Sequence, residues 1–329
     1  MSEQSPKERV LSALNGGKPD RIPWCEMGIA GDLPFHSLGD KKQEHALEEC
    51  LGIGNVIAPG SFCPPGFVEW GKTADGHAFV RDGLLKKRAD LEKMIFPDPD
   101  DEVIYEPLKL FLRNAPKHLA VCVATDLGAG AAIQSMGIEG LSYALADDPD
   151  FVREVFGRFG EWSARVHQNL CRLGLDFIWS GGDIAFKTAP FISPRVFREI
   201  ILPSIRPAAE AITLPWVYHS DGNLCPILDD LLSLGMNAIH PVEPGAMDIY
   251  ELKLKYGNEL CLIGNVDVDI LTRGKPSDVV KECRRLVDFM EDKGAYIISS
   301  SNSLSAYVKP DNLKAMADFL AYYNVKKID

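Results

Sequence analysis

The run WVYHSDGN, residues 216–223, ends an apolar stretch on an imidazole and a carboxylate two residues apart. On an extended chain, side chains at i and i+2 project from one face. His219 and Asp221 can therefore share a divalent cation such as zinc, or form an acid/base pair in which the carboxylate tunes the ring. Asp221 can equally cap a helix that starts after Gly222. Polar residues follow other apolar runs in the same way: Glu26 in RIPWCEMG, Asp126 in LAVCVATD, Asp183 in SGGDIAFK, and His240 with Glu243 in HPVEPG. Asn265 and Asp267 follow LCLIG, and Ser299 to Asn302 follow YII. Lys187 is the only cation near any of these ends. His219, Asp183, Asp221 and Glu243 are the expected catalytic groups. His219, Glu243 and Asp221 are the expected metal ligands. Glu26, Asp126, Lys187, Tyr218, His240, Asn265, Asp267, Ser301 and Asn302 are expected to line the substrate site, with His240 alternatively a hydrogen-bonded residue behind the metal ligands or a ligand itself. Ser299 to Ser303 can alternatively form a turn that caps the last helix. No G-x-S-x-G elbow occurs, so a serine triad has no support. The several carboxylates keep a glycosidase-type pair open as an alternative.

These residues can meet only if the elements bring their ends together. SPKERVLSALNGG reads as an opening helix with Ser5 as N-cap, Pro6 in the first turn and Gly16-Gly17 as the stop. Strands are expected at 22–28, 53–58, 119–126 and 176–184, and in the stretches WVYHSDG, NAIHPVEPG, LCLIGNVD and AYIISSSNS. Helical patterns separate them, several ending in Gly. The helix over 193–212 carries prolines that should kink or split it. Eight such strand–helix units predict a (β/α)8 TIM barrel forming one domain over 1–329, with its active site at the C-terminal strand ends. Residues 65–90 break the rhythm. Asp75-Gly76 and Asp82-Gly83 are hairpin signals there, so a small antiparallel insertion is expected. Neither G-x-G-x-x-G after the first strand nor G-x-x-x-x-G-K-[ST] is present, which removes the usual phosphate cradles. The Gly-rich DLGAGAA, residues 126–132, has the wrong order for one and receives little weight.

Composition narrows the class. The 329 residues include 35 Lys+Arg against 47 Asp+Glu, a formal charge of −12. Such a surface does not favour polyanions, so no nucleic-acid partner is expected. No apolar run of membrane-spanning length occurs, and the polar, amphipathic N-terminus lacks the core of a secretory signal. A cytoplasmic location is expected. The eight cysteines are scattered without a C-x-x-C pair, and several sit in apolar runs, as small buried thiols do.

Taken together, RIPW, GGDIAFKTAPFISPRVFREIILP, YHSDGN, HPVEPGAMDI, LCLIGNVD and YIISSSNSL resemble the uroporphyrinogen decarboxylase superfamily along nearly the whole chain. They are closest to its branch of methyltransferases that work with corrinoid proteins. The resemblance implies the same barrel. Uroporphyrinogen decarboxylases carry an arginine-rich motif after the first strand that binds propionates, and PWCEMGIAGD has no arginine. Thiol methyltransferases of the superfamily carry a zinc motif H-x-C with a distant Cys. Here His219 matches the His, Asp221 replaces the first Cys, SSSNS replaces the distant one, and Glu243 resembles a family glutamate that can join the metal. A harder His/carboxylate site for zinc or another divalent ion is implied. The resemblance points to transfer of a methyl group from a small donor, a methoxylated aromatic, to Co(I) of a separate corrinoid protein. Trp24, Trp179 and Tyr218 can hold such a ring or belong to the core. A decarboxylase acting on a small or tetrapyrrole substrate is the first alternative, and a non-catalytic corrinoid- or tetrapyrrole-binding barrel the second.

Overall fold

The computed structural model describes residues 3–30, 46–73, 76 and 78–325. Its strands are β1 (Asn55–Ile57), β2 (Val68–Lys72), β3 (Ala78–Gly83), β4 (Ala120–Asp126), β5 (Phe177–Gly181), β6 (Trp216–His219), β7 (Ala238–His240), β8 (Cys261–Ile263) and β9 (Tyr296–Ile297). Seven of them form one sheet in the order β1-β4-β5-β6-β7-β8-β9, every neighbouring pair parallel. The spatial order follows the chain without a reversal. A doubly wound sheet would reverse once, at its switch point.

The segment expected as the first strand has no continuous ladder. Trp24 makes isolated parallel bridges to Ile53 on one side and Ile298 on the other, so this segment touches both ends of the sheet. Two features limit it. Pro23 has no N–H to donate. Glu26 gives its backbone to a side chain: its N–H donates to Asn55 Oδ1, and its carbonyl accepts from Asn55 Nδ2, both at 3.0 Å.

Strand parity sorts the core into two layers, because alternate side chains leave opposite faces. Ala120, Cys122, Phe177, Trp179, Val217, Ala238, Cys261, Ile263, Ala295 and Ile297 pack together on one face. Helix Pro6–Leu14 adds Val10, Ala13 and Leu14 to that layer. The intervening residues, among them Val121, Val123, Ile178, Trp216, Tyr218, Ile239, Leu262 and Tyr296, join the larger cluster under the other helices. With both faces covered, β4 is buried at six of its seven positions and reads as a nearly continuous apolar run. The opening helix has the expected start. Ser5 accepts from the Glu8 N–H while the Glu8 carboxylate accepts from the Ser5 N–H.

The proline-bearing helix splits as expected. Pro194–Val196 and Leu202–Glu210 flank a wide turn, Phe197–Ile201, where Leu202 N–H donates to the Phe197 carbonyl five residues back. The insertion is a two-stranded antiparallel pair in which Val68 faces Gly83 and Lys72 faces Ala78. Asp75 lies outside the described residues. Asp82-Gly83, expected as a turn, instead ends β3, where Leu85 N–H and Ser135 O continue the contact with helix Ala129–Met136.

Candidate active site

Because the seven strands are parallel, their C-terminal ends share one rim. Asp126 and His219 end β4 and β6, and His240 ends β7. Asp183, Asp221, Glu243, Asn265 and Ser299 follow strands within a few residues. The register sets which of them meet. Gly181 pairs with His219, and His219 pairs with His240. Two residues further on, Asp183 comes beside Asp221. One ligand atom each from Asp183, His219 and Asp221 lies within 4.8 Å of the others.

The surrounding bonds orient this group. His219 Nε2 lies 3.7 Å from Asp183 Oδ1, which accepts from the Asp221 N–H at 3.0 Å. Asp221 Oδ2 accepts from Asn302 Nδ2 at 2.7 Å, whereas Asp221 Oδ1 is buried and has no partner. Ser220 Oγ accepts from the Ile184 N–H and donates to the Asp221 carbonyl. On its other side, His219 Nδ1 meets His240 Nδ1 at 2.8 Å. Burial pushes the His219 imidazole below its ordinary value, against the pull of Asp183, and depresses fully buried His240 further. Asp221 is raised to about 6, first by burial and then by the charges of Asp183 and Glu243.

Two glycine features let the backbones converge. A Cβ on Gly130 would stand 2.6 Å from Gly182 Cα, so the strand end leading to Asp183 lies directly on the start of helix Ala129–Met136. Gly222, at φ +88°, turns the chain where a Cβ would meet the Ala185 and Phe186 carbonyls at 2.6 Å. The glycines of DLGAGAA thus serve close packing of helix on strand end.

Several expected residues have different partners from those anticipated. Glu243 lies outside the three-residue group. Its Oε2 accepts from the Gly222 N–H at 2.8 Å, and its Oε1 faces Lys187 Nζ at 3.1 Å. Asp183 therefore takes the place expected for Glu243, which sits three residues past His240 and so breaks the two-residue parity. Asp221 does not cap the following turn; Asn223 does, accepting from the Cys225 N–H. Asp126 uses its carboxylate at the start of helix Ala129–Met136, on the Gly128 and Ala131 N–H groups, while burial raises it to about 6. Asp267 caps helix Val268–Arg273. Ser301 Oγ accepts from the Val268 N–H, and Asn265 Nδ2 donates to the Val242 carbonyl. The serine run does not cap the last helix, which begins only at Pro310.

Glu26 is the partner of that serine run. Its carboxylate accepts from Trp24 Nε1 at 2.7 Å, Ser300 N–H at 2.9 Å and Ser300 Oγ at 2.6 Å. Burial nevertheless raises it to about 7. Trp24, Trp179 and Tyr218 are all at most 3 % exposed and belong to the core. Tyr218 packs edge-on against Trp216, and burial with the nearby Asp126 and Asp183 charges raises its phenol. Ser220 and Asn55 were missed by sequence reasoning. Ser220 lies inside the quoted HSD, and Asn55 is an amide opening an apolar strand, a residue type strands disfavour. Those were the available signals.

The family model for uroporphyrinogen decarboxylase (URO-D) matches residues 72–323. The chain belongs to the uroporphyrinogen decarboxylase family. Within it, the chain is 22 % identical over 254 residues to the uroporphyrinogen decarboxylase of Chlorobium limicola, spanning 72 % of this chain and 70 % of that one. It is 24 % identical over 141 residues to a methylated-thiol--coenzyme M methyltransferase of Methanosarcina mazei, spanning 41 % of this chain and 36 % of that one. Among solved structures, a methyltransferase from Methanosarcina mazei superposes with a TM-score of 0.76 at 19 % identity, over 98 % of this chain and 99 % of the other. That likeness speaks to the fold. Among the described residues, no helix is long and apolar enough to cross a membrane.

Proposed function

We propose that this chain is a methyltransferase that moves a methyl group from a small donor, a methoxylated aromatic, to Co(I) of a corrinoid partner protein. The single observation that carries the reading is the Asp183, His219 and Asp221 group at the rim of the sheet. A barrel closed by the Trp24 segment would place this rim around one mouth.

The residues fit a divalent cation. They offer one imidazole and two carboxylates, a hard donor set suited to zinc or a similar ion. One of their oxygens, Asp221 Oδ1, is buried without a partner. Charge agrees: Asp183, Asp221 and Glu243 carry three negative charges, and Lys187 offsets that of Glu243. A cation held by Asp183, His219 and Asp221 would supply a Lewis acid for the donor oxygen.

The chemistry requires such help. Co(I) gives an electron pair to the methyl carbon, the C–O bond breaks, and its electrons leave on the oxygen. The products are methyl-Co(III) and a phenolate that must be protonated. With Asp183, His219 and Asp221 holding a cation beside that oxygen, the developing charge would fall on the cation, and the released phenolate would take its proton from solvent. Asn302 and the Asp221 N–H fix the two carboxylates, so little reorganisation is needed during the reaction.

The decarboxylase names among the relatives favour a second reading, decarboxylation of a tetrapyrrole. Its substrate carries many carboxylates and should meet cations. Among the described residues, Lys187 at this rim is engaged by Glu243. Mixing the protein with methoxyaromatics and a Co(I) corrinoid protein separates the two readings. The methyl-Co(III) absorption spectrum is expected to develop. Its absence with every donor, together with carbon dioxide release from uroporphyrinogen, would replace the proposal with the decarboxylase.

A further inference from the structure

If His219 offers Nε2 to a cation, its other nitrogen constrains the neighbour. The two Nδ1 atoms of His219 and His240 lie 2.8 Å apart. Two lone pairs repel at that separation, and two N–H groups do so as well, so one proton lies between the rings. A neutral imidazole bound through Nε2 keeps its proton on Nδ1. His219 is then the donor, His240 Nδ1 the acceptor, and the proton of His240 sits on its own Nε2. That nitrogen is buried without a polar partner, and the His240 ring stands edge-on to Trp179, centroids 4.9 Å apart.

We propose that His240 is a positioning residue: an uncharged, fully buried acceptor that holds the His219 proton at Nδ1 and presents the Nε2 lone pair to the space between Asp183 and Asp221. This rests on the metal-holding reading above. Metal-binding histidines usually donate to a carboxylate, carbonyl or water. A neutral ring in that place adds no charge to a group whose two aspartates already balance a dication. The contact is set by the backbone, since the two histidines are register partners on adjacent strands.

The test uses the full chain, stripped with chelator and titrated calorimetrically with zinc alone. His240→Asn keeps an acceptor oxygen where Nδ1 stands, and His240→Leu removes it. Expected are affinity within about threefold of wild type for His240→Asn and a 10- to 100-fold loss for His240→Leu. In 15N spectra of the zinc-loaded wild type, His219 is expected protonated at Nδ1 and His240 at Nε2. Equal affinity in His240→Leu, equal loss in His240→Asn, or a loaded His240 protonated at Nδ1 overturns the inference while leaving the metal site standing. A wild type that binds no zinc overturns the metal reading and this inference with it. Should His240→Leu not fold, the spectra and His240→Asn decide.

Discussion

At the scale of single residues, Asp221 is held in two ways and left open in a third. Asn302 takes Oδ2, the backbone N–H of Asp221 is engaged by Asp183, and Oδ1 remains free. Asn302→Leu removes the orienting bond without touching the three donor atoms. It should weaken zinc binding roughly tenfold in a calorimetric titration, the usual effect of losing a partner of a metal ligand. Lys187 makes the opposite prediction. Its side chain is 69 % exposed, so its pair with Glu243 adds less than about 1 kcal/mol to stability. Lys187→Ala should leave the urea midpoint almost unchanged. Because Lys187 lies near enough to favour the charged form of Asp221, its removal should tighten divalent-cation binding a few-fold at low salt and less at high salt.

At the scale of elements, Glu26 joins the opening segment to the run after β9. Four donors, the Trp24 indole N–H, the Ser300 N–H and the Ser299 and Ser300 hydroxyls, converge on one buried carboxyl. Glu26→Ala leaves buried donors without acceptors and should lower unfolding free energy by about 2–4 kcal/mol in urea melts. The pH dependence has a definite sign. Burial holds the folded carboxyl at about 7 against an ordinary 4.5, so the folded state binds more protons between those values. Stability from this group is present at low pH and declines as pH rises through that window. Glu26→Gln should remove this decline, visible as a flatter melting-temperature profile.

At the scale of the whole molecule, His167 links helix Pro149–Leu170 to both neighbours. One ring nitrogen meets the Ala208 carbonyl and the other Thr125 Oγ1, each at 2.9 Å, with the ring fully buried. Burial lowers it from 6.5 to about 4. Here the unfolded chain binds the proton first, so stability is present above the unfolded value and is lost as pH falls from about 6.5 toward 4. The loss should approach about 3 kcal/mol, the free energy of a shift that large. His167→Gln should be less stable at pH 8 yet show a shallower decline in urea midpoint between pH 7 and 4.

Much of this arrangement was legible in the chain itself. Alternating strand and helix patterns give the parallel sheet, because an apolar run covered on both faces has few other solutions. The i, i+2 spacing puts His219 and Asp221 on one face in any extended conformation, and the Ser5 and Glu8 pair announces the first helix. Pairing across strands was not legible. Gly181 opposite His219 brings Asp183 into the site, and His219 opposite His240 joins two imidazoles 21 residues apart. A slip of one residue would turn either partner to the other face, and no local pattern records that choice. The fates of Glu26, Asp126, Asp267 and Ser301 were hidden for the same reason. A carboxylate or hydroxyl looks alike in sequence whether it faces a ligand or a backbone N–H, and only the packed chain determines which is within reach.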